Sequence, residues 1–142
     1  MRIIPATMLA LALSLSLVTS ATAASILGSW SGRGTVTLIP SGHVEPVSCR
    51  VNYEKGDDRG RTFVLHATCA STAGTFVQTG RVVKLSSSKY TGRLYSGFYD
   101  VEGEVSISVR GTRQTVIVTS SKGKGKFNLR KRKAWVRPGS AQ

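Results

Sequence analysis

Residues 47–53, VSCRVNY, and residues 63–69, FVLHATC, alternate apolar with polar side chains, and each stretch carries one of the two cysteines, Cys49 and Cys69. Alternation with a period of two is typical of a β-strand that buries one face. The polar residues 56–60 between them, GDDRG, predict a hairpin loop. If Cys49 lies opposite Cys69 in an antiparallel pair, the apolar residues of both strands share one side of the sheet. This register opposes Val51 to Ala67, and Tyr53 to Leu65.

The two cysteines are expected to form a disulfide. They allow a single intramolecular pairing, and thiols pair in the oxidising compartments that exported proteins enter. Closing a loop of about 20 residues stabilises a fold by ~3 kcal/mol in the chain-entropy model. A metal site or a reactive thiol is the alternative, but two cysteines without nearby His or carboxylate ligands are too few for zinc.

The same alternation recurs along the rest of the chain, and no segment after the N-terminal leader has a convincing helical period. The predicted strands cover residues 28–39, 47–53, 63–69, 74–85, 89–95 with 98–99, 101–109, 115–119 and 126–135. We therefore expect an all-β fold, a single antiparallel meander of about eight strands.

Glycines inside the strands favour a small barrel. A pattern of glycine, polar residue, apolar residue begins at Gly34, Gly80, Gly92, Gly103 and Gly125. Mid-strand glycines weaken a flat sheet but relieve crowding where a sheet coils sharply. A two-sheet β-sandwich is the alternative. An outer-membrane barrel is a third possibility, but the chain has few aromatic residues to form the two aromatic girdles that such barrels carry.

Residues 1–23 have the form of a secretory signal peptide. Arg2 precedes an apolar run at residues 8–18, and Ala21 and Ala23 supply the small side chains of a cleavage site, so cleavage is expected before Ala24. An uncleaved anchor is the alternative, but the apolar run is shorter than the ~20 residues that cross a bilayer. The short leader indicates a bacterial protein, exported to the periplasm or secreted.

The mature chain is the size of one domain. Removing 23 of the 142 residues leaves 119, and the loss of Arg2 lowers the net charge from +13 to +12. We expect a β-barrel domain over residues 24–133 and a flexible basic and polar tail over 134–142. This length excludes a TIM barrel or a two-domain enzyme. The mature chain has no second long apolar stretch to span a membrane, and we expect a monomer.

The beginning of the mature chain, Gly28-Ser29-Trp30, resembles the first-strand Gly-x-Trp signature of calycin barrels, the group of lipocalins, avidins and a periplasmic metalloprotease-inhibitor family. The resemblance implies a barrel in which Trp30 plugs the closed end. It also implies a basic residue of the last strand stacked on the indole, for which Arg130 or Arg132 is expected. The second lipocalin signature is absent, and the inhibitory residues of the inhibitor family do not map onto this chain.

Catalysis is hard to build from these residues, and we expect no enzyme and no cofactor. His43 and His66 are predicted to be solvated side chains. No nucleophile elbow, Ser-x-x-Lys motif or phosphate-cradling loop is present. Glu102 and Glu104 share a strand face and could act as the paired carboxylates of a glycosidase, but Arg110 and other cations are expected to neutralise them.

Charge is the strongest functional signal. The last 33 residues carry 10 of the 19 mature cations, and no acid follows Glu104. On a strand, alternate residues share a face. This arrangement predicts a polyanion-binding row, here named the basic stripe, formed by Lys122, Lys124, Lys126, Arg130 and Arg132. A solvated basic face with no specific partner is the alternative.

Three functions follow from these features. The first is an exported, non-catalytic barrel whose basic stripe binds an anionic polysaccharide, lipopolysaccharide or an anionic membrane surface. Nucleic acid is not expected as a partner, because an exported protein would rarely meet it. The second is a carrier of a small apolar ligand in a cavity lined by Tyr53, Phe63, Leu65, Val105 and Ile107. The third is a periplasmic protease inhibitor that inserts an exposed segment, such as the first residues after cleavage, into a protease cleft.

Overall fold

The computed structural model describes residues 25–97 and 101–133, together with residue 16. The expected signal peptide, apart from residue 16, and the expected tail over 134–142 lie outside the described residues. Within the described residues, no helix is long and apolar enough to cross a membrane.

The chain forms eight antiparallel strands that pair in sequence order and close into a barrel. The strands are β1 (Gly28–Leu38), β2 (Val44–Lys55), β3 (Thr62–Ser71), β4 (Gly74–Lys84), β5 (Lys89–Ser96), β6 (Val101–Arg110), β7 (Arg113–Ser120) and β8 (Gly123–Lys131). Closure comes from antiparallel pairing of β8 with β1, which sets Trp30 opposite Lys131 and Leu38 opposite Gly123. The meander and the barrel are therefore confirmed, and the sandwich alternative is wrong.

The hairpin of β2 and β3 has the register that the cysteines predict. Cys49 lies directly opposite Cys69, and the two are joined by a disulfide with Cα atoms 4.1 Å apart. The two apolar pairs expected beside the bridge are also opposed, and all four of their residues are buried. The pattern of side chains and the covalent bond thus specify the same face of the sheet.

Side chains fill the inside of the barrel. Trp30, Tyr53 and Tyr90 are among its largest fully buried residues. They lie towards the end of the barrel where β1 begins, here called the Trp30 end. Small barrels of eight strands have an interior just wide enough for such filling.

Glycines lie where the strands of the barrel approach most closely. A Cβ atom at Gly32 would overlap the backbone carbonyl of Asn128 on β8, and one at Gly92 would overlap the carbonyl of Arg81 on β4. Both glycines belong to the inward-facing set of their strands. At both glycines the absence of a side chain lets the strands bend sharply, so that a strongly coiled sheet can close on itself, as the glycine pattern predicted.

The last strand differs from the expected one. It covers Gly123–Lys131, so it begins three residues earlier than the predicted residues 126–135 and ends earlier as well. Gly123 and Gly125 precede the predicted strand in sequence but belong to β8, and both face the barrel interior and are buried. The ring of Phe127 fills the space above Gly125, where a side chain would collide with it.

Candidate anion-binding face

The outer side of β8 carries part of the basic stripe. Lys124, Lys126 and Arg130 are exposed and share this side with Asn128, while Gly125, Phe127 and Leu129 face inward. Alternate residues of a strand are about 6.7 Å apart, so the three cations extend over about 20 Å. Lys122 lies in the turn before β8 and Arg132 follows the strand; both are exposed. The structure therefore brings all five residues to one flank of the barrel.

Neither strand that flanks β8 contains an acid. The sequences of β1, GSWSGRGTVTL, and β7, RQTVIVTS, contribute the cations Arg33 and Arg113 instead. Arg33 lies opposite Asn128 of β8, and Arg113 lies opposite Arg130. Three adjacent strands thus form an acid-free, cationic wall.

Two arginines outside the basic stripe join it at the Trp30 end. Arg110 of β6 is opposite Arg113, which is opposite Arg130, so three arginines stand in one row across three neighbouring strands. The sequence contains a signal for part of this row, because the two-residue turn at Gly111 and Thr112 places Arg110 and Arg113 opposite each other. The sequence alone does not extend the stripe across the sheet, since it does not specify the register of β7 against β8.

A groove of about 380 Å³ lies beside this row. We name it the arginine groove; it is lined by Ser108, Arg110, Arg113, Gln114, Thr115, Asn128, Leu129 and Arg130. Within it, the hydroxyl of Thr115 donates a hydrogen bond to Oδ1 of Asn128 over 3.4 Å. The groove therefore combines cations with hydroxyl and amide groups and is lined by no carboxylate.

The described acids lie outside the three strands of the wall, and Glu104 of β6 borders it, opposite Thr119 of β7. Glu102 pairs with Arg93 at 3.3 Å, with both side chains exposed, and Glu45 pairs with His43 at 3.4 Å. The expectation that cations neutralise the carboxylates of β6 is confirmed for Glu102, but its partner is Arg93 and not Arg110. Glu102 is eight residues before Arg110 on the same strand, a distance of about 27 Å.

The cation over Trp30 is Lys131, and not Arg130 or Arg132 as the resemblance implied. Its Nζ lies 5.7 Å from the centre of the indole ring and donates to the carbonyl of Ser25 at 3.3 Å. Arg130 is excluded because it points to the outer face. Lys131 has the inward parity of Phe127 and Leu129, and this parity is the sequence signal that identifies it.

The chain before β1 closes the Trp30 end. Ile26 is fully buried, and its carbonyl accepts a hydrogen bond of 2.8 Å from Nε1 of the fully buried Trp30. Insertion of residues 25–27 into a protease cleft would require these contacts to break. The geometry therefore does not favour the protease-inhibitor hypothesis.

The five residues expected to line a ligand cavity fill the core instead. Each is at most 6% exposed, and the ring of Phe63 packs edge-on against Tyr90 with centroids 5.6 Å apart. The space beside Tyr53 and Leu65 measures only about 20 Å³. The expected cavity at these residues is therefore not present in the described part of the barrel.

A buried polar pair lies within this core. The Tyr53 hydroxyl donates to Oε1 of Gln114 at 2.7 Å, and both residues are 2% exposed. Burial raises the pKa of Tyr53, and the hydrogen bond to Gln114 only partly opposes this effect. Burial likewise raises the pKa of Tyr90. Among the described residues, Nε2 of Gln114 has no hydrogen-bond partner.

A pocket opens at the other end of the barrel, where β8 begins. This mouth pocket has a volume of about 60 Å³, and its walls include Leu94, Val118 and Phe127, with Lys122 and Lys124 at its edge. The buried hydroxyl of Ser96 also lines it and has no hydrogen-bond partner among the described residues. An engineered cavity that holds benzene measures about 150 Å³, so this pocket suits only a smaller group.

The two histidines are both exposed. Within residues 25–97 and 101–133, no three His, Cys, Asp or Glu side chains lie close enough together to hold a metal ion.

Comparison with known proteins identifies the fold. No protein-family model matches the sequence, and no curated protein matches it. Among solved structures, a redesigned β-barrel bound to DFHBI matches with a TM-score of 0.59 and 16% identity, over 74% of this chain and 97% of that one. A de novo fluorescence-activating β-barrel gives a TM-score of 0.58 and 16% identity, over 75% and 93% of the two chains. These likenesses establish the small eight-stranded barrel fold, and at such low identity they establish the fold alone.

Proposed function

We propose that this protein is an exported, non-catalytic β-barrel that binds an anionic polymer of the cell envelope or the extracellular space through its basic stripe. The observation that carries the proposal is the acid-free wall of β7, β8 and β1, whose outer side presents cations from all three strands.

The physical argument is the repulsion within that wall. Like charges directly opposite each other on a sheet are destabilising, by roughly 0.2–1 kcal/mol per pair. The wall contains such a pair in Arg113 and Arg130, and carboxylates that would relieve it are absent from the flanking strands. A polyanion laid along β8 would neutralise several cations at once and release its own counterions.

The wall also suits a polymer better than a compact ligand. It is an outer surface about 20 Å long at the cations of β8, and apart from the mouth pocket the barrel interior beneath it is filled with side chains. Repeated charges on a flexible chain can follow such a surface, whereas a single small anion would meet only one end of it. Anionic polysaccharide, lipopolysaccharide and an anionic membrane surface all provide this repeat of charge.

The test compares two variants of equal net charge. One changes Lys122, Lys124, Lys126, Arg130 and Arg132 to Gln; the control changes Lys55, Arg59, Arg61, Arg81 and Lys84 to Gln. We expect the stripe variant to elute from immobilised heparin at much lower salt than the control. The slope of log K against log salt should become shallower by roughly one for each cation that no longer binds the polymer. Equal elution of the two variants would leave only a solvated basic face without a specific partner.

A second candidate function rests on the mouth pocket. Its apolar walls and the buried hydroxyl of Ser96, which has no partner within the part of the chain that the structure describes, favour a small amphipathic molecule that carries one hydroxyl or carboxylate. Titration of the isotope-labelled protein with 1-butanol should shift amide resonances around the pocket and leave those near Trp30 unchanged. An absence of saturable shifts around the pocket would remove the carrier function altogether.

A further inference from the structure

We infer that the arginine groove is a discrete site for a tetrahedral oxyanion ester, a phosphate or a sulfate, carried by the polymer; this inference rests on the proposed function. It concerns chemical specificity, whereas the basic stripe alone provides only charge.

The backbone brings three guanidinium groups together. Arg110 and Arg113 flank the turn of the β6–β7 hairpin, where Gly111 has a φ of +57°, a conformation that glycine adopts readily. Arg113 and Arg130 are opposed on adjacent strands, which lie about 4.8 Å apart. The three side chains are exposed and leave neighbouring strands in the same direction. An anion held between them would meet donors from three sides.

The next row of the sheet supplies neutral groups. Ser108, Thr115 and Asn128 are opposed across the same three strands, one position further from the Trp30 end on the outer face. Hydroxyl and amide groups donate hydrogen bonds to ester oxygens without adding charge. The groove has space of about 380 Å³, and on the next strand Arg33 lies opposite Asn128, which lines the groove.

The geometry of arginine selects the kind of anion. A guanidinium presents a planar fork that binds two oxygens of one group, whereas an ammonium acts as a point charge. A carboxylate has two oxygens and satisfies one fork, while a phosphate or sulfate ester has three free oxygens that can be shared among several forks. Three arginines around one groove should therefore prefer the esters over carboxylates of equal charge.

The experiment replaces the planar guanidinium groups of the groove with lysine ammonium groups and keeps the charge. The variant R110K/R113K/R130K and the control R59K/R61K/R81K retain the net charge of the protein, and all six positions are exposed. Each protein is titrated with dextran sulfate, polyphosphate and poly-L-glutamate at equal concentrations of charge, across a range of salt. Circular dichroism and the thermal midpoint check that both variants keep the fold.

We expect the unmodified protein and the control to bind dextran sulfate, polyphosphate or both about tenfold more tightly than poly-L-glutamate. The groove variant should lose that preference while keeping its affinity for poly-L-glutamate and its salt slope. Loss on one ester polymer alone would assign the groove to that ester.

Three results would overturn the inference. Equal affinity of the unmodified protein for all three polymers, or an unchanged preference in the groove variant, would remove the groove as a specific site and leave the proposed function intact. Binding of none of the polymers by the unmodified protein would remove the proposed function, and the inference with it.

Discussion

The buried pair of Tyr53 and Gln114 predicts a strong energetic coupling. Their hydrogen bond of 2.7 Å lies in the core, and the second polar atom of the amide, Nε2, has no partner among the described residues. A buried polar group left without a partner costs about 1–3 kcal/mol. Tyr53→Phe leaves the whole amide unpaired, so the free energy of unfolding should fall by about 2 kcal/mol. Gln114→Met leaves only the tyrosine hydroxyl without a partner and also removes the unpaired Nε2, so the free energy of unfolding should fall by about 1 kcal/mol.

The double variant Tyr53→Phe/Gln114→Met has no unpaired polar group at this place. Its stability should lie within about 1 kcal/mol of the unmodified protein, although the single losses add up to about 3 kcal/mol. Urea denaturation followed by circular dichroism measures all four proteins, with a constant m-value as the check that the unfolded states are comparable. Additive losses, with a coupling below about 0.5 kcal/mol, would refute the reasoning, since the pair would then not be isolated from water.

Three further outcomes are expected. Burial raises the pKa of Tyr53 above the ordinary tyrosine value of 10.0, so this group should not change the free energy of unfolding below that pH and should lower it above that pH, by up to about 1.4 kcal/mol per pH unit. Urea titrations from pH 8 to 12 measure this fall, and Tyr53→Phe should make the dependence of stability on pH less steep. The variant Cys49→Ala/Cys69→Ala should lose about 3 kcal/mol or more of its free energy of unfolding, because the disulfide closes a loop with a sequence separation of 20. A loss under about 1 kcal/mol would contradict the expectation that the bridge stabilises the barrel by restricting its unfolded chain. Gly92→Ala should lose more than about 3 kcal/mol because its Cβ would overlap the backbone of the facing strand, whereas Gly97→Ala, whose nearest contact is at 3.9 Å, should lose under about 1 kcal/mol; similar thermal midpoints for the two would contradict the role assigned to the corner.

The hairpin of β2 and β3 was predictable because two independent signals agreed. The alternation of side chains specified which face is buried, and Cys49 and Cys69 specified the register. Both signals are local, because the two strands are joined by a short loop. Elsewhere the alternation alone predicted the strands, and apart from β8 their ends lie within one or two residues of the expected ones. The disulfide specified the register of β2 and β3 and not their ends, since β2 begins three residues earlier than expected.

Closure of the barrel was harder to predict, since β1 and β8 are far apart in sequence. The glycine pattern indicated strong coiling, and the close approaches at Gly32 and Gly92 agree with that interpretation. No sequence signal distinguished an interior with a cavity from a filled one. That difference depends on how side chains such as Phe127 pack over Gly125, and this packing is a property of the whole barrel.

The candidate site was predictable along a strand but not across strands. The period of two placed Lys124, Lys126 and Arg130 on one side of β8, where the structure has them. The contribution of Arg113 depends on the register between β7 and β8. The same parity argument identifies Lys131 as the cation beside Trp30, whereas the calycin resemblance favoured an arginine there.

The fold and the proposed binding surface place separate demands on the same strands. Inward positions of β8, such as Phe127 and Leu129, stabilise the barrel, and the outward positions between them contribute little to it. Pairing on both edges holds β8 in place despite the repulsion among its cations. Concentrating arginines on the outside is therefore tolerated by the fold rather than required by it. The proposed function assigns this cost in stability to a ligand that relieves the repulsion when it binds.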